Sequence, residues 1–307
     1  MSAAVAAPAP VAAPAPILVP EDGNLHPFLF MGCWNEPSLP ARELVADRIN
    51  ANEINNLVLA GDNVYPLEGT KSHNVATFMS GIRLFRDKRI FGALGNHNVK
   101  NTPVKEAQLA YPDWTLPAPY YARRFNDGYA LVVLNSNVME KTTELDAMVA
   151  WLRAIVAQCR DAGLRYYIVQ HDPYATYKKK KIVTLVDSSK LLEVMAPYPP
   201  EAILCADTHN FQIGTIHVGG TRILQYTVGT GGAKHDPIEV ELNPIPIGTG
   251  GIFMTFESHI PGYGFLEVRP GRLDFVHVAD WPVTRPGAGE GGRRTRRHRR
   301  KQGTRRR

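Results

Sequence analysis

Ile90-Phe91-Gly92-Ala93-Leu94-Gly95-Asn96-His97-Asn98 is the stretch on which the reading of this chain turns. An apolar run of strand-forming residues stops at a glycine and is followed by an amide and an imidazole. Glycine lets the backbone turn tightly without a Cβ clash, and Asn and His are poor ends for a buried strand unless something binds them. The same grammar returns in Leu59-Ala60-Gly61-Asp62-Asn63-Val64-Tyr65, in Ile168-Val169-Gln170-His171 and in Ile203-Leu204-Cys205-Ala206-Asp207-Thr208-His209. Each β-type run ends in a residue type that ligates metals.

Outward from that stretch, the hydrophobic spacing predicts β-α-β-α-β. Strands at 28–32, 57–60 and 90–94 alternate with helices at 39–52 (Leu44, Val45, Arg48, Ile49) and 75–85 (Phe78, Met79, Ile82, Phe85). A short helix at 103–110 and a Pro-rich aromatic loop at 111–121 precede a hairpin of 120–125 and 129–134 about Asn126-Asp127-Gly128. The clearest helix covers 144–159, with Leu145, Met148, Leu152, Ile155 and Val156 on one face. A strand at 165–169, a lysine loop at 178–181, a helix at 188–195 and a strand at 202–205 come next. From 211 onward the pattern changes to hairpins (213–218, 221–228, 251–257, 264–268, 272–278), separated in places by Gly219-Gly220 and Pro270-Gly271. An α/β half followed by an antiparallel half predicts an α/β sandwich of two facing mixed β-sheets flanked by helices. It would form one domain over 26–283, between a disordered Ala/Pro-rich arm at 1–25 and a disordered Arg-rich tail at 284–307.

A chain of 307 residues can bury a sizeable core. No stretch approaches the ~20 unbroken apolar residues of a membrane span, and 1–20 lacks the basic start and apolar run of a signal peptide. Prolines 8, 10, 14, 16 and 20 favour an extended arm. Three cysteines (Cys33, Cys159, Cys205) make no disulfide framework and fit a reducing, intracellular compartment. The net charge of +6 is uneven, because residues 293–307 hold ten basic residues and no acid, which leaves −4 for the rest. Arg293, Arg294, Arg296, Arg297, Arg299, Arg300, Lys301, Arg305, Arg306 and Arg307 read either as a solubilising or targeting tail or as a binder of nucleic acid or another polyanion. The second reading admits a nucleus or a virion as the location.

In open α/β sheets, ligands collect outside the carboxyl ends of strands. Asp62, Asn96, His171, Asp207 and His209 all fall at such ends, so parallel packing would bring them together. A carboxylate can bridge two cations, an Asn carbonyl is a neutral oxygen ligand, and imidazole suits zinc, iron or manganese. Two such metals about 4 Å apart clamp the attacking and leaving oxygens of an in-line displacement.

The set resembles the calcineurin-like metallophosphoesterases, including the purple acid phosphatase branch. Gly61-Asp62-Asn63-Val64-Tyr65 matches G-D-x-x-[DY] in its Tyr form, and Gly95-Asn96-His97-Asn98 matches G-N-H-[DE] with Asn for the acid. Val169-Gln170-His171 fits the lone-His motif, and Thr227-Val228-Gly229-Thr230-Gly231-Gly232 looks like the Gly-rich segment after the last motif. The resemblance implies that Asp62 bridges two metal ions, with Tyr65 and His209 on the first and Asn96 and His171 on the second. His97 would be no ligand; it would face the scissile phosphate as a general acid. Two positions depart from the pattern. Cys33 stands where the first-strand Asp is expected, and Asp207 replaces the first His of G-H-x-H. Asp207 is a workable ligand, whereas Cys33 is either a thiolate ligand or a small buried residue. Lysines 178–181 are a solvated loop or a lure for an anionic substrate, and His235 is a further site candidate.

The expected function is metal-dependent hydrolysis of a phosphate ester, monoester or diester. The alternative is a catalytically impaired member of the fold that binds nucleic acid or another polyanion through its tail.

Overall fold

The computed structural model describes residues 18–37, 39–66, 74–139, 142–178, 181–185, 189–238, 243–248 and 250–280. The ten basic tail residues and residues 1–17 lie outside the described residues. Strands β1 (Val19–Pro20), β2 (Phe28–Met31), β3 (Asn56–Leu59), β4 (Arg89–Gly92), β5 (Trp114–Thr115), β6 (Tyr121–Arg124), β7 (Tyr129–Val133) and β8 (Arg165–Val169) fall in the first half. The second half holds β9 (Ala175–Lys178), β10 (Lys181–Thr184), β11 (Ala202–Cys205), β12 (Phe211–Val218), β13 (Thr221–Val228), β14 (Ile245–Pro246), β15 (Phe253–Ile260), β16 (Tyr263–Arg269) and β17 (Arg272–Ala279). The α-helices are α1 (Ala41–Asn50), α2 (Val75–Ile82), α3 (Asn96–Val99), α4 (Thr102–Leu109), α5 (Thr142–Asp161) and α6 (Ser189–Met195).

Two mixed sheets result, as the pattern predicts. One runs β17-β16-β2-β3-β4-β5, with β2 to β5 parallel and β16 antiparallel to β2. The other runs β1-β6-β7-β8-β11-β13-β12-β15-β14, with β7, β8, β11 and β13 parallel. Side-chain alternation along a strand sorts the second sheet's residues into two cores. Leu131, Val133, Tyr167, Val169, Ala202 and Leu204 share a core with Phe30, Leu57, Leu59 and Phe91 of the first sheet. Their alternates Ala130, Val132, Tyr166, Ile168, Ile203 and Cys205 pack with α5 and α6. The stripe expected on the long helix is the buried face: Leu145, Met148, Leu152, Ile155 and Val156 are all in that second core. All three cysteines are buried and unbridged. Among the described residues, no helix is long and apolar enough to cross a membrane.

Three expectations need correction. The arm, expected to be unpacked through residue 25, is packed from Leu18 onward: Leu18 and Leu25 are buried, and β1 pairs with β6. Pro20 is tolerated there because β1 is an edge strand, and Glu21 holds both Arg89 (2.7 Å) and Arg123 (3.0 Å). Of the expected lysine loop, Lys178 ends β9 and Lys181 opens β10, paired opposite one another, while Lys179 and Lys180 lie outside the described residues. Within the aromatic loop, Trp114 and Thr115 extend the first sheet beside β4, and Trp114 Nε1 donates to the Gln108 carbonyl at 2.7 Å.

The sheets meet closely at the carboxyl ends of their parallel strands. There Gly32 N donates to Val228 O at 2.9 Å, and Gly231 N returns to Gly32 O at 3.1 Å. Beside this seam Asn63 is fully buried; it accepts from Trp34 Nε1 (2.9 Å) and donates to Ala93 O (2.8 Å) and Gln108 Oε1 (3.0 Å). Replacing it with alanine strands three buried polar groups, so Asn63→Ala should lower unfolding stability by about 3 kcal/mol. The check is a guanidinium melt followed by circular dichroism; a loss under about 1 kcal/mol would contradict this role.

Candidate metal centre

The seam bends the chain sharply where the motifs sit. Cys33, Asp62 and Asp207 have φ of 53°, 50° and 53°, and among the described non-glycine residues only Asp87 joins them at positive φ. Such conformations cost about 1–3 kcal/mol each and persist where the surroundings impose them. Gly61 and Gly95 are equally constrained. A Cβ on Gly95 would lie 2.2 Å from Asp62 N, and one on Gly61 would lie 2.8 Å from His171 Nδ1. The turn after β4 opens directly into α3, whose start is tied by Asn98 Oδ1 accepting from Gly95 N at 2.5 Å. Asn98, which stands where the resembled motif has an acid, thus serves the turn rather than the cleft.

Asp62, Asn96 and His171 form one donor set. Asp62 Oδ1 lies 3.3 Å from His171 Nε2 and accepts the His97 backbone N–H at 3.1 Å. His171 Nδ1 is 2.8 Å from the Ala60 carbonyl, which can only accept, so Nδ1 carries a proton and Nε2 faces the carboxylates. Burial opposes charge on both members. Their mutual attraction outweighs it, holding the Asp62 carboxyl well below the usual range and pushing His171 up to about 10. Among the described residues, Asn96 Oδ1 is buried without a hydrogen-bond partner, and His171 Nε2 meets only carboxylates, Asp62 at 3.3 Å and Asp207 at 3.9 Å. Buried polar atoms are rarely left so. A carboxylate, an amide oxygen and an imidazole nitrogen are donor types that fit a zinc, iron or manganese ion, and Asp62 and Asn96 line the same cleft.

Cys33, Tyr65 and His209 form a second set beside the same carboxylate. Cys33, Asp62 and His209 have potential ligand atoms within 4.8 Å of one another. This set is already bonded internally. His209 Nδ1 donates to Lys234 O at 2.6 Å, and Nε2 accepts from the Tyr65 hydroxyl at 3.0 Å. The hydroxyl is also within hydrogen-bonding reach of Cys33 and Asp62. Burial, with the negative charge of Asp62 and Asp207, pushes the Cys33 thiol far up. Cys33 therefore sits as a neutral thiol in this arrangement.

Asp207 belongs to neither set cleanly. Its two oxygens accept from Lys178 Nζ at 2.9 and 2.8 Å, and Oδ1 lies 3.9 Å from His171 Nε2. Burial lowers the Lys178 pKa, but attraction to Asp207 more than offsets it and the net shift is upward.

These groups open into a cleft of about 790 Å³, lined by Asp62, Asn96, His97, Lys178, Asp207 and His209 together with Lys181, Lys234, His235 and Asp236. The His97 ring stands 4.7 Å from that of Tyr65. His235 does line the cleft; burial drags it down to about 4, so it is neutral at pH 7. Lys178 was legible only as part of a charge run, and Lys234 and Asp236 carried no sequence signal. Asn35, two residues past Cys33, turns away: its amide donates to Asn63 O (2.8 Å) and Thr77 O (3.1 Å).

Neither a family model nor a curated protein matches the sequence. Solved structures do. The purple acid phosphatase PPD1 from yellow lupin (Lupinus luteus) seeds superposes with a TM-score of 0.56 at 12% identity, over 80% of this chain and 49% of that one. GAP50, described as the anchor in the inner membrane complex of Plasmodium, superposes with a TM-score of 0.51 at 13% identity, over 83% and 90%. The chain thus spans about half the length of the lupin phosphatase and most of the Plasmodium protein. At such identities the likeness speaks for the fold alone, and that fold is the metallophosphoesterase-type sandwich.

Proposed function

We propose that the chain hydrolyses a phosphate ester with the help of metal held by Asp62, Asn96 and His171. The observation that carries this reading is Asn96 Oδ1, buried and unbonded in the cleft that the Asp62 carboxylate also lines, with His171 Nε2 beside that carboxylate. A bound metal would polarise a phosphoryl oxygen and lower the pKa of a water molecule. The remaining work falls to this chain's own side chains. Lys178, Lys181 and Lys234 line the cleft and attract a phosphate anion. The Asp62 carboxylate, fixed by the His97 backbone N–H, keeps the site negative enough to retain a cation. His97, at the cleft wall beside Tyr65, is placed to give a proton to the leaving oxygen.

Hydrolysis of p-nitrophenyl phosphate and bis(p-nitrophenyl) phosphate, assayed with manganese, zinc and iron in turn, tests the reading. His97→Ala should lower kcat about 100-fold or more while leaving bound metal unchanged. Asp62→Asn should abolish both turnover and metal retention. Turnover that survives both substitutions would overturn the proposal.

A second reading, binding without catalysis, is favoured by one feature. Asp207 is committed to a lysine and Cys33 is a buried neutral thiol, so two positions of the resembled motifs are spent elsewhere. GAP50 is a protein of this fold whose description is that of an anchor. Here the ten basic residues of 293–307 would bind a polyanion. Binding to double-stranded DNA should then weaken steeply between 50 and 200 mM salt, by roughly 10³-fold or more for six or more phosphate contacts. Deletion of 293–307 should remove that dependence; binding that ignores both salt and the tail would contradict it.

A further inference from the structure

Lys178 is held in place by more than its charge. It ends β9, whose preceding residue is clamped by Gln212: Tyr177 N donates to Gln212 Oε1 at 3.0 Å, and Gln212 Nε2 donates to Tyr177 O at 2.8 Å. Gln212 Nε2 also reaches Thr176 Oγ1 at 2.9 Å, and Thr176 Oγ1 donates to Thr208 Oγ1 at 3.1 Å. Thr208 directly follows Asp207. The strand carrying the ammonium and the turn carrying the carboxylate are thus pinned to one another by buried hydrogen bonds, and Tyr177 is further packed edge-on against Phe256 at 4.6 Å. An ammonium fixed at both ends of its contact is a structural part of the centre.

The two donor sets differ in the same direction. Tyr65 and His209 satisfy one another, and Cys33 is within reach of the same hydroxyl. Among the described residues, Asn96 Oδ1 has no hydrogen-bond partner, and His171 Nε2 meets only the Asp62 and Asp207 carboxylates. One set is closed by hydrogen bonds, whereas the other keeps a buried amide oxygen beside a carboxylate for a cation.

We propose that the centre holds a single metal ion, on Asp62, Asn96 and His171, and that the Lys178 ammonium on Asp207 is its built-in second cation. This rests on the metal-dependent reading above and departs from the two-metal expectation drawn from the resemblance. The ammonium does in charge what a second metal would do: it neutralises Asp207 beside His171 and presents a positive group to the cleft where a phosphate anion enters. It also disfavours a second cation nearby, because a dication at Asp207 would face the Lys178 ammonium at contact range. Cys33 and Asp207, the two departures from the resembled motifs, then have one explanation. At Asp207 the carboxylate is answered by an ammonium, and at Cys33 the side chain is fully buried beside the Tyr65 hydroxyl.

Equilibrium dialysis of the full chain against manganese(II), followed by elemental analysis, reads this directly. The wild type should retain one manganese per chain. Cys33→Ser should keep that metal at unchanged affinity, and Asn96→Ala should lose it. Lys178→Met removes the repulsion and frees the Asp207 carboxylate, so it should tighten manganese binding by about tenfold or more. Two metals on the wild type, loss of the metal in Cys33→Ser, or unchanged or weaker binding in Lys178→Met would each overturn the single-metal centre while leaving metal-dependent hydrolysis standing. No metal on the wild type would overturn both.

Discussion

Asp62 and Asp207 bring two carboxylates into one buried seam, and a charge taken out of water without a partner is costly enough to dictate what surrounds it. Asp62 is answered by the His97 backbone N–H and by His171, Asp207 by Lys178. These partners come from different elements, and the Asp62–His171 pair spans the two sheets. The left-handed turns at Cys33, Asp62 and Asp207 are the cost of that convergence. Strain of this kind is tolerated where function needs atoms in one place and the scaffold is rigid enough to hold them. Here the scaffold is the pair of parallel strand groups, and the close approach of Gly32 to Ala206, where a Cβ would lie 2.3 Å away, lets their ends touch.

Much of this was legible from sequence because it is periodic or punctuated. The unbroken apolar run of Tyr166, Tyr167, Ile168 and Val169, and the stripe from Leu145 to Val156, encode burial directly, and the structure puts those residues in the cores. Strand runs that stop at glycine before Asp62 and Asn96 likewise encode turns, since no Cβ fits there. What was illegible depends on long-range contact. Leu18 to Leu25 lies in a stretch whose prolines argue for an extended arm, and only pairing with β6 and the Glu21 ion pairs show that an extended segment can still be packed.

Lys178 shows the same limit within the site. In sequence it is one of four consecutive lysines, a pattern that normally marks a solvated loop. Its role follows from Gln212 and Thr208, neither of which carries a motif, because their hydrogen bonds aim the hairpin at Asp207. Asn98 is the converse case. The motif placed it correctly, but its amide is used to close the turn that presents Asn96 and His97. Substitutions within a motif therefore divide into those that retune the metal position and those that hold the backbone, and the hydrogen-bond partners distinguish them.

Anomalous diffraction from crystals grown with manganese would test the central claim, that the open donor set at the seam is a metal position. The account predicts a single anomalous peak bounded by Asp62, Asn96 and His171, with Lys178 still on Asp207. A peak among Cys33, Tyr65 and His209 instead, or no peak at the seam at all, would contradict it.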